Sequence, residues 1–142
     1  MTIEHITSAT PEIEAAFQRL IPQLSRSAAP MSEAEIREFI AQEAIDLLAF
    51  RTEEGTIAGM LTLVTFTIPT GVRAWIEDVV VDEAARGQGA GQQLVEQAVQ
   101  LAHSRGAKTV DLTSRPSREA ANRLYQRCGF QLRETNVYRF AQ

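Results

Sequence analysis

Arg86-Gly87-Gln88-Gly89-Ala90-Gly91 is the segment of this sequence best suited to chemistry. Three alternating glycines behind an arginine, set between an apolar run and an amphipathic one, would leave main-chain N–H groups bare at a helix N-terminus. There the helix dipole is positive and the first N–H groups lack partners, so a phosphate can be held by backbone alone. The spacing disfavours two nucleotide loops. A Walker loop requires Gly-Lys-Ser/Thr after four intervening residues, and the dinucleotide fingerprint requires a third glycine where Gln92 stands. Upstream, Glu77 and Asp78 are consecutive acids inside the strand-like run Trp75–Val81, an unusual place for charge in a central strand. A carboxylate there is either a solvated or paired surface acid, or a group that removes a proton from an amine. The second role matters because a lysine-like amine of pKa about 10.4 costs on the order of 4–5 kcal/mol to deprotonate at pH 7. Neighbouring strand side chains point to opposite faces, so one of the two acids should face a cleft, with Glu77 favoured.

Positioning these groups requires strands and helices whose signals are local. Residues 2–7 read as a strand, and Pro11 opens a helix in which Ile13, Ala16, Phe17, Leu20, Ile21 and Leu24 step by helical intervals. After a loop at Ser27–Met31, Ser32 and Glu35 form a capping box for a second helix carrying Ile36, Phe39 and Ile40. Asp46–Arg51 and Ile57–Thr67 are expected strands joined by a hairpin at Thr52–Thr56, and a turn at Pro69–Gly71 leads into the strand Arg73–Val81. Asp82–Ala85 is a short loop. Gln92–Arg105 is an amphipathic helix whose apolar face is Leu94, Val95, Ala98, Leu101 and Ala102, with Gly106 at its C-terminal cap. Thr109–Thr113 reads as a strand and Ser117–Cys128 as a helix ended by Gly129; Gln131–Arg133 and Asn136–Phe140 close the chain as strands. The pattern predicts a mixed α/β (α+β) fold in one domain spanning residues 1–142.

With those elements in place, two motifs resemble a known family. Arg86-x-x-Gly89-x-Gly91 resembles the Arg/Gln-x-x-Gly-x-Gly/Ala signature of the GNAT acyl-CoA-dependent N-acetyltransferases. Ala121-Asn122-Arg123-Leu124-Tyr125-Gln126-Arg127-Cys128-Gly129-Phe130 is similar to that family's Ala-x-x-Leu-Tyr-x-x-x-Gly-Phe helix ending, and Ile76–Val81 to its fourth strand. The likeness is residue-specific over roughly 73–130 and architectural over 1–72. It implies a mainly antiparallel central sheet, splayed at the fourth strand and flanked by about four helices. It also implies acetyl-CoA as co-substrate, no metal, and direct acetyl transfer to a primary amine of a small molecule. A peptide or protein amine, or a non-catalytic acyl-CoA-binding module, is the competing reading.

The resemblance assigns roles residue by residue. Arg86, Gly87, Gln88, Gly89, Ala90 and Gly91 would hold the CoA pyrophosphate; Val79, Val80 and Val81 would pair with pantetheine, an N–H of Val79 or Val80 polarising the acyl carbonyl. Tyr125 corresponds to the family's proton donor to the departing thiolate, although helical spacing with Ala121, Leu124 and Cys128 also fits a packing stripe. Many relatives carry a pantetheine-binding asparagine six residues before the Leu-Tyr pair; Arg118 stands there, leaving Asn122 as the candidate for that contact. Among Arg115, Arg118, Arg123 and Arg127, Arg118 is the candidate for the CoA 3′-phosphate. Cys128 reads as packed, since direct transfer needs no acyl-enzyme, and His5 and His103 read as structural. Family members often dimerise, which leaves a homodimer open.

Composition bounds the partners. The formal net charge of −4 offers nothing to a nucleic acid, and the apolar runs fall far short of the roughly 18 residues of a membrane span. The first ten residues lack the features of a signal peptide, and a lone cysteine allows no intrachain disulfide, so a cytoplasmic setting is expected. The charge is uneven: residues 1–71 hold four arginines against ten acids, and residues 72–142 hold ten basic residues against eight acids. In the resembled family the acceptor enters through the first half. Glu33, Glu35, Glu38, Glu43 and Asp46 there favour a cationic amine, although Ile76–Val81 is also similar to the matching strand of glucosamine-phosphate N-acetyltransferases.

Overall fold

The computed structural model describes residues 1–142. Its elements run β1 (Thr2–Ile6), α1 (Pro11–Leu24), α2 (Glu33–Ala41), β2 (Ile45–Arg51), β3 (Ile57–Ile68), β4 (Gly71–Val81), a 3₁₀ turn (Glu83–Ala85), α3 (Ala90–Ser104), β5 (Thr109–Asp111) and α4 (Glu119–Arg127). The five strands stand in chain order across one sheet. Pairings from β1 to β4 are antiparallel, and β5 is parallel to β4. Antiparallel neighbours can be joined by short turns, whereas a parallel pair needs a long crossover. Here α3 is that crossover, which sets the glycine loop directly after β4.

Each face of the sheet has its own core, as strand alternation requires. Ile13, Ala16, Phe17 and Leu20 of α1 and Ile36 of α2 bury against Leu47, Ala49 and Met60 on one face. Leu94, Val95, Ala98 and Ala102 of α3 bury against Leu48, Phe50, Leu61, Leu63 and Ile76 on the other. The helix starts follow the expected signals. Thr10 accepts a hydrogen bond from the Ile13 N–H at 3.2 Å, and Ser32 and Glu35 cap α2 reciprocally at 3.2 and 2.9 Å.

One carboxylate is buried in this apolar frame. Asp46 is 4% exposed on the α3 face, where its carboxylate accepts from Arg105 Nε and Nη2 at 2.8 and 2.7 Å and lies 2.9 Å from His5 Nε2. The cluster ties β1, β2 and the end of α3 together. Removing one partner of a buried ion pair costs about 3–5 kcal/mol when both ends are enclosed. Arg105 is half-exposed and can rehydrate, so Asp46→Ala is expected to cost about 2–3 kcal/mol in urea denaturation. A loss under about 1 kcal/mol would show the cluster to be a surface pair in effect.

The chain end departs from expectation. No strand forms at Gln131–Arg133 or Asn136–Phe140, and Leu132, Val137, Tyr138 and Phe140 are all exposed. The physical reason is that strand propensity records fit to a pleated surface and does not supply a pairing edge. Here the segment pairs with no strand, although the outer edge of β5 is free.

Candidate active site

The centre of β4 is bent. Thr62 pairs with Glu77 and Met60 with Val80, so Asp78 and Val79 together oppose Leu61 alone. Asp78 takes φ 50°, the left-handed region that aspartate tolerates better than most residues. Such a bulge re-phases the strand. Ala74 and Ile76 pack on the α3 face, and uninterrupted alternation would send Val80 there too, yet Val80 is buried on the α1–α2 face. The bulge thus interrupts, at Asp78, the regular alternation on which the choice between Glu77 and Asp78 rests. Both carboxylates are exposed, Glu77 on the α1–α2 face opposite Thr62.

The same strand parts from its neighbour. β4 pairs with β3 as far as Val81, but with β5 only through Arg73, Ala74 and Trp75. Past Trp75, no strand occupies the β5 side of Ile76–Val81, where Val79, Val80 and Val81 lie. An open strand edge can accept an extended ligand by main-chain hydrogen bonding.

The glycine loop closes the end of this notch. Gly87 and Gly89 take φ 86° and 77°, and Gly89 is the N-cap of α3 with no side-chain cap. The N–H groups of Gly87, Gln88, Gly89, Ala90, Gly91 and Gln92 donate to no acceptor in the protein; the helix ladder begins with Gln93 N–H to Gly89 O at 3.0 Å. Six consecutive free donors at the positive end of a 15-residue helix form an anion cradle. Gly91 also fixes the approach of α4. A Cβ at this position would lie 3.0 Å from Leu124 Cδ2 and 3.9 Å from Val81 Cγ2, so loop, β4 and α4 meet there.

Helix α4 carries Tyr125 next to that contact. Its C-terminus is a Schellman motif: Phe130 N–H donates to Tyr125 O and Gly129 N–H to Gln126 O, both at 3.0 Å, with Gly129 at φ 96°. The motif's apolar contact is the Tyr125–Phe130 ring pair at 6.1 Å. Tyr-x-x-x-Gly-Phe is thus a device that anchors the tyrosine, and its spacing already carried that signal. The Tyr125 hydroxyl has no partner in the protein, and burial pushes its pKa up, an effect that Arg118 only partly opposes. Burial also raises the Cys128 thiol, with Glu96 adding to it, which disfavours the thiolate.

Asn122 and Arg118 sit at the start of α4. The Asn122 amide donates to Arg115 O at 3.0 Å and Arg118 O at 2.9 Å, which commits its N–H groups and leaves its side-chain oxygen as an acceptor. Arg118 is the exposed N-cap residue. Arg86, Arg115, Arg118, Arg123 and Arg127 are all exposed and none is in an ion pair. The acids of the first half differ. Asp46 is held by Arg105 on the α3 face, Glu33 pairs with Arg37 at 2.7 Å, and Glu35 caps α2. Glu4 and Glu12 bind Arg51 at 2.8 and 2.9 Å. Of the five acids expected to attract a cation, only Glu38 and Glu43 are uncommitted. Sequence counting missed the Asp46 pairing because Arg105 lies 59 residues away along the chain.

The comparisons with known proteins agree with this fold. A model of the Acetyltransferase (GNAT) family matches residues 13–130. Glucosamine 6-phosphate N-acetyltransferase 1 of Oryza sativa subsp. japonica is 34% identical over 128 residues, covering 84% of this chain and 75% of that protein. A putative acetyltransferase from Agrobacterium tumefaciens str. C58 superposes with a TM-score of 0.86 over 100% of both chains at 24% identity. An aminoglycoside acetyltransferase from an uncultured soil metagenomic sample, in complex with sisomicin, gives 0.84 at 17% identity, covering 99% of this chain and 95% of that one. At these identities the two structures speak for the fold alone.

Proposed function

This chain belongs to the GNAT acetyltransferase family, and from that premise we propose that it transfers the acetyl group of acetyl-CoA directly to a primary amine of a small molecule. The observation that carries this reading is the run of six free N–H groups from Gly87 to Gln92 beside the unpaired edge of β4. Those donors suit a pyrophosphate, and the edge suits an extended amide-bearing arm. The five unpaired arginines suit a cofactor with several phosphates, with Arg118 as the candidate for the 3′-phosphate. Bound acetyl-CoA would supply the activated thioester.

The chain's own groups would do the rest. Glu77, exposed on the face of α1 and α2, would take a proton from the ammonium directly or through water. A main-chain N–H at the bulge, of Val79 or Val80, would polarise the acyl carbonyl. Tyr125 would give its proton to the departing sulfur, a thiol of pKa near 8.5 against a phenol above 10. Cys128 has no role in this scheme. Cys128→Ala is expected to keep kcat within about twofold, because small apolar replacement of a partly buried thiol changes packing little. Intact-mass measurement after incubation with acetyl-CoA alone should show no acetylated protein; a stable adduct lost in Cys128→Ala would replace direct transfer with a covalent route.

Acceptor charge is the open term. A cationic amine retains Glu38 and Glu43 as support, whereas the 34% identical relative is named for a phosphorylated amino sugar. A free-thiol release assay across glucosamine 6-phosphate, unphosphorylated amino sugars, polyamines and peptides separates these. Turnover greatest with a small primary amine supports the proposal. A preference for peptides would move the chain to protein acetylation, and acetyl-CoA binding without any turnover would mark a binding module.

A further inference from the structure

Two polar side chains are buried in this molecule, Asp46 at 4% exposure and Thr62 at 9%. Only the first is satisfied. Asp46 is matched by Arg105 and His5, and the hydroxyls of Thr10, Thr52 and Thr70 have partners, whereas the Thr62 hydroxyl makes no hydrogen bond in the protein. A hydroxyl taken out of water without a partner destabilises a fold, and valine, equally β-branched and of similar shape, would suit this strand as well. Folding alone does not account for the hydroxyl.

The surroundings of Thr62 point to what it is for. On the α1–α2 face it stands between Met60 and Val64 along β3, beside Leu47 of β2 and opposite Glu77 of β4. Three of these neighbours are apolar, and only Glu77 is exposed. The one unpartnered side-chain atom sealed from solvent is Thr65 Oγ1, so Thr62 Oγ1 keeps an opening, and the exposed carboxylate marks its open side. Directly paired residues on neighbouring strands hold their Cβ atoms about 4.5–5.5 Å apart, so one small donor group can reach hydroxyl and carboxylate together.

A primary amine suits that pair. As an ammonium it carries three N–H donors, and a hydroxyl oxygen offers two lone pairs to accept them. Once Glu77 has taken one proton, the nitrogen keeps two N–H groups and one lone pair. An acceptor fixed on one of those N–H groups sets the direction of the lone pair, and orientation of that kind is a large part of what an active site contributes to a bimolecular reaction.

We propose that Thr62 binds the acceptor nitrogen, its Oγ1 accepting a hydrogen bond from the amine while Glu77 holds the proton the amine gives up. The inference rests on the acetyltransferase reading and adds to it a substrate-touching residue on β3. Its test pairs Thr62→Val, which removes the hydroxyl and keeps the branched shape, with Thr62→Ser, which keeps the hydroxyl. The acceptor is whichever of glucosamine 6-phosphate, unphosphorylated amino sugars, polyamines and peptides the wild type turns over fastest. In Thr62→Val, kcat/KM for that amine is expected to fall about tenfold or more, as for the loss of one hydrogen bond to a charged or reacting group. The Kd for acetyl-CoA should stay within about twofold, and the urea midpoint should not fall, because the hydroxyl has no partner in the fold to lose. Thr62→Ser should remain within about threefold of wild type in kcat/KM.

Undiminished kcat/KM in Thr62→Val overturns this proposal and leaves the transferase reading standing. A Thr62→Ser variant as slow as Thr62→Val overturns it too, since the methyl group and its packing would then be what matters. A Thr62→Val chain that unfolds, or whose urea midpoint drops, does the same by showing that the hydroxyl serves the fold. Acetyl-CoA binding with no turnover of any amine in the wild type removes the transferase reading and this proposal together.

Discussion

Replacing Tyr125 with phenylalanine is expected to lower kcat by about 10²-fold while leaving the Kd for acetyl-CoA within about threefold, since general acid–base groups contribute roughly 10²–10⁴-fold. The substitution isolates the hydroxyl. Phenylalanine keeps the ring that packs on Phe130 and keeps the backbone carbonyl that accepts the Phe130 N–H, so the Schellman anchor survives. Binding calorimetry and steady-state rates on the same preparations make the comparison. Burial raises the phenol above its ordinary value of about 10, so the hydroxyl stays protonated through neutral and mildly alkaline pH. The wild-type rate should therefore show no fall below about pH 10 that Tyr125→Phe abolishes. Equal losses in kcat and in acetyl-CoA affinity would instead make the tyrosine a packing residue, as its helical spacing with Leu124 and Cys128 allows.

Helices and the inner strands were legible in the sequence because their signals are local. Pro11 with the Ile13–Leu20 stripe and the Ser32–Glu35 box state helix starts within a few residues, and the structure places both. The glycine loop was legible for the same reason. What the sequence could not show was non-local. The bulge at Asp78 arises from register against β3, and it interrupts the alternation used to choose between Glu77 and Asp78. The acidic first half read as an attractive surface only while its partners were unknown; Arg51 and Arg105 neutralise Glu4, Glu12 and Asp46 across 39 to 59 residues of sequence. At the chain end, composition favoured strands at Gln131–Arg133 and Asn136–Phe140, and none forms, because propensity alone does not make the ladder hydrogen bonds that define a strand.

The second large effect is expected from Gly91→Val, which tests whether the anion cradle and the tyrosine helix form one unit. Gly91 lies in the first turn of α3, so its own N–H is among the six free donors, and its Cα faces Leu124, the residue before Tyr125. A Cβ alone would press Leu124 Cδ2 at 3.0 Å, which a leucine rotamer can relieve. The two further methyls of valine meet Leu124 on one side and approach Val81 on the other, leaving displacement of α4 as the outlet. Acetyl-CoA affinity should fall at least about tenfold, equivalent to about 1.4 kcal/mol, and kcat should fall with it as Tyr125 is displaced along with α4. Gly91→Ala is the control. Its helix-propensity gain of about 1 kcal/mol over glycine offsets the single tight contact, so both affinity and urea stability should stay near wild type. If valine binds acetyl-CoA like the wild type, the loop and α4 are not mechanically joined and the cradle acts through its amides alone. If alanine already matches the valine loss, the cofactor itself needs the space that glycine leaves, because relief by Leu124 would otherwise have sufficed.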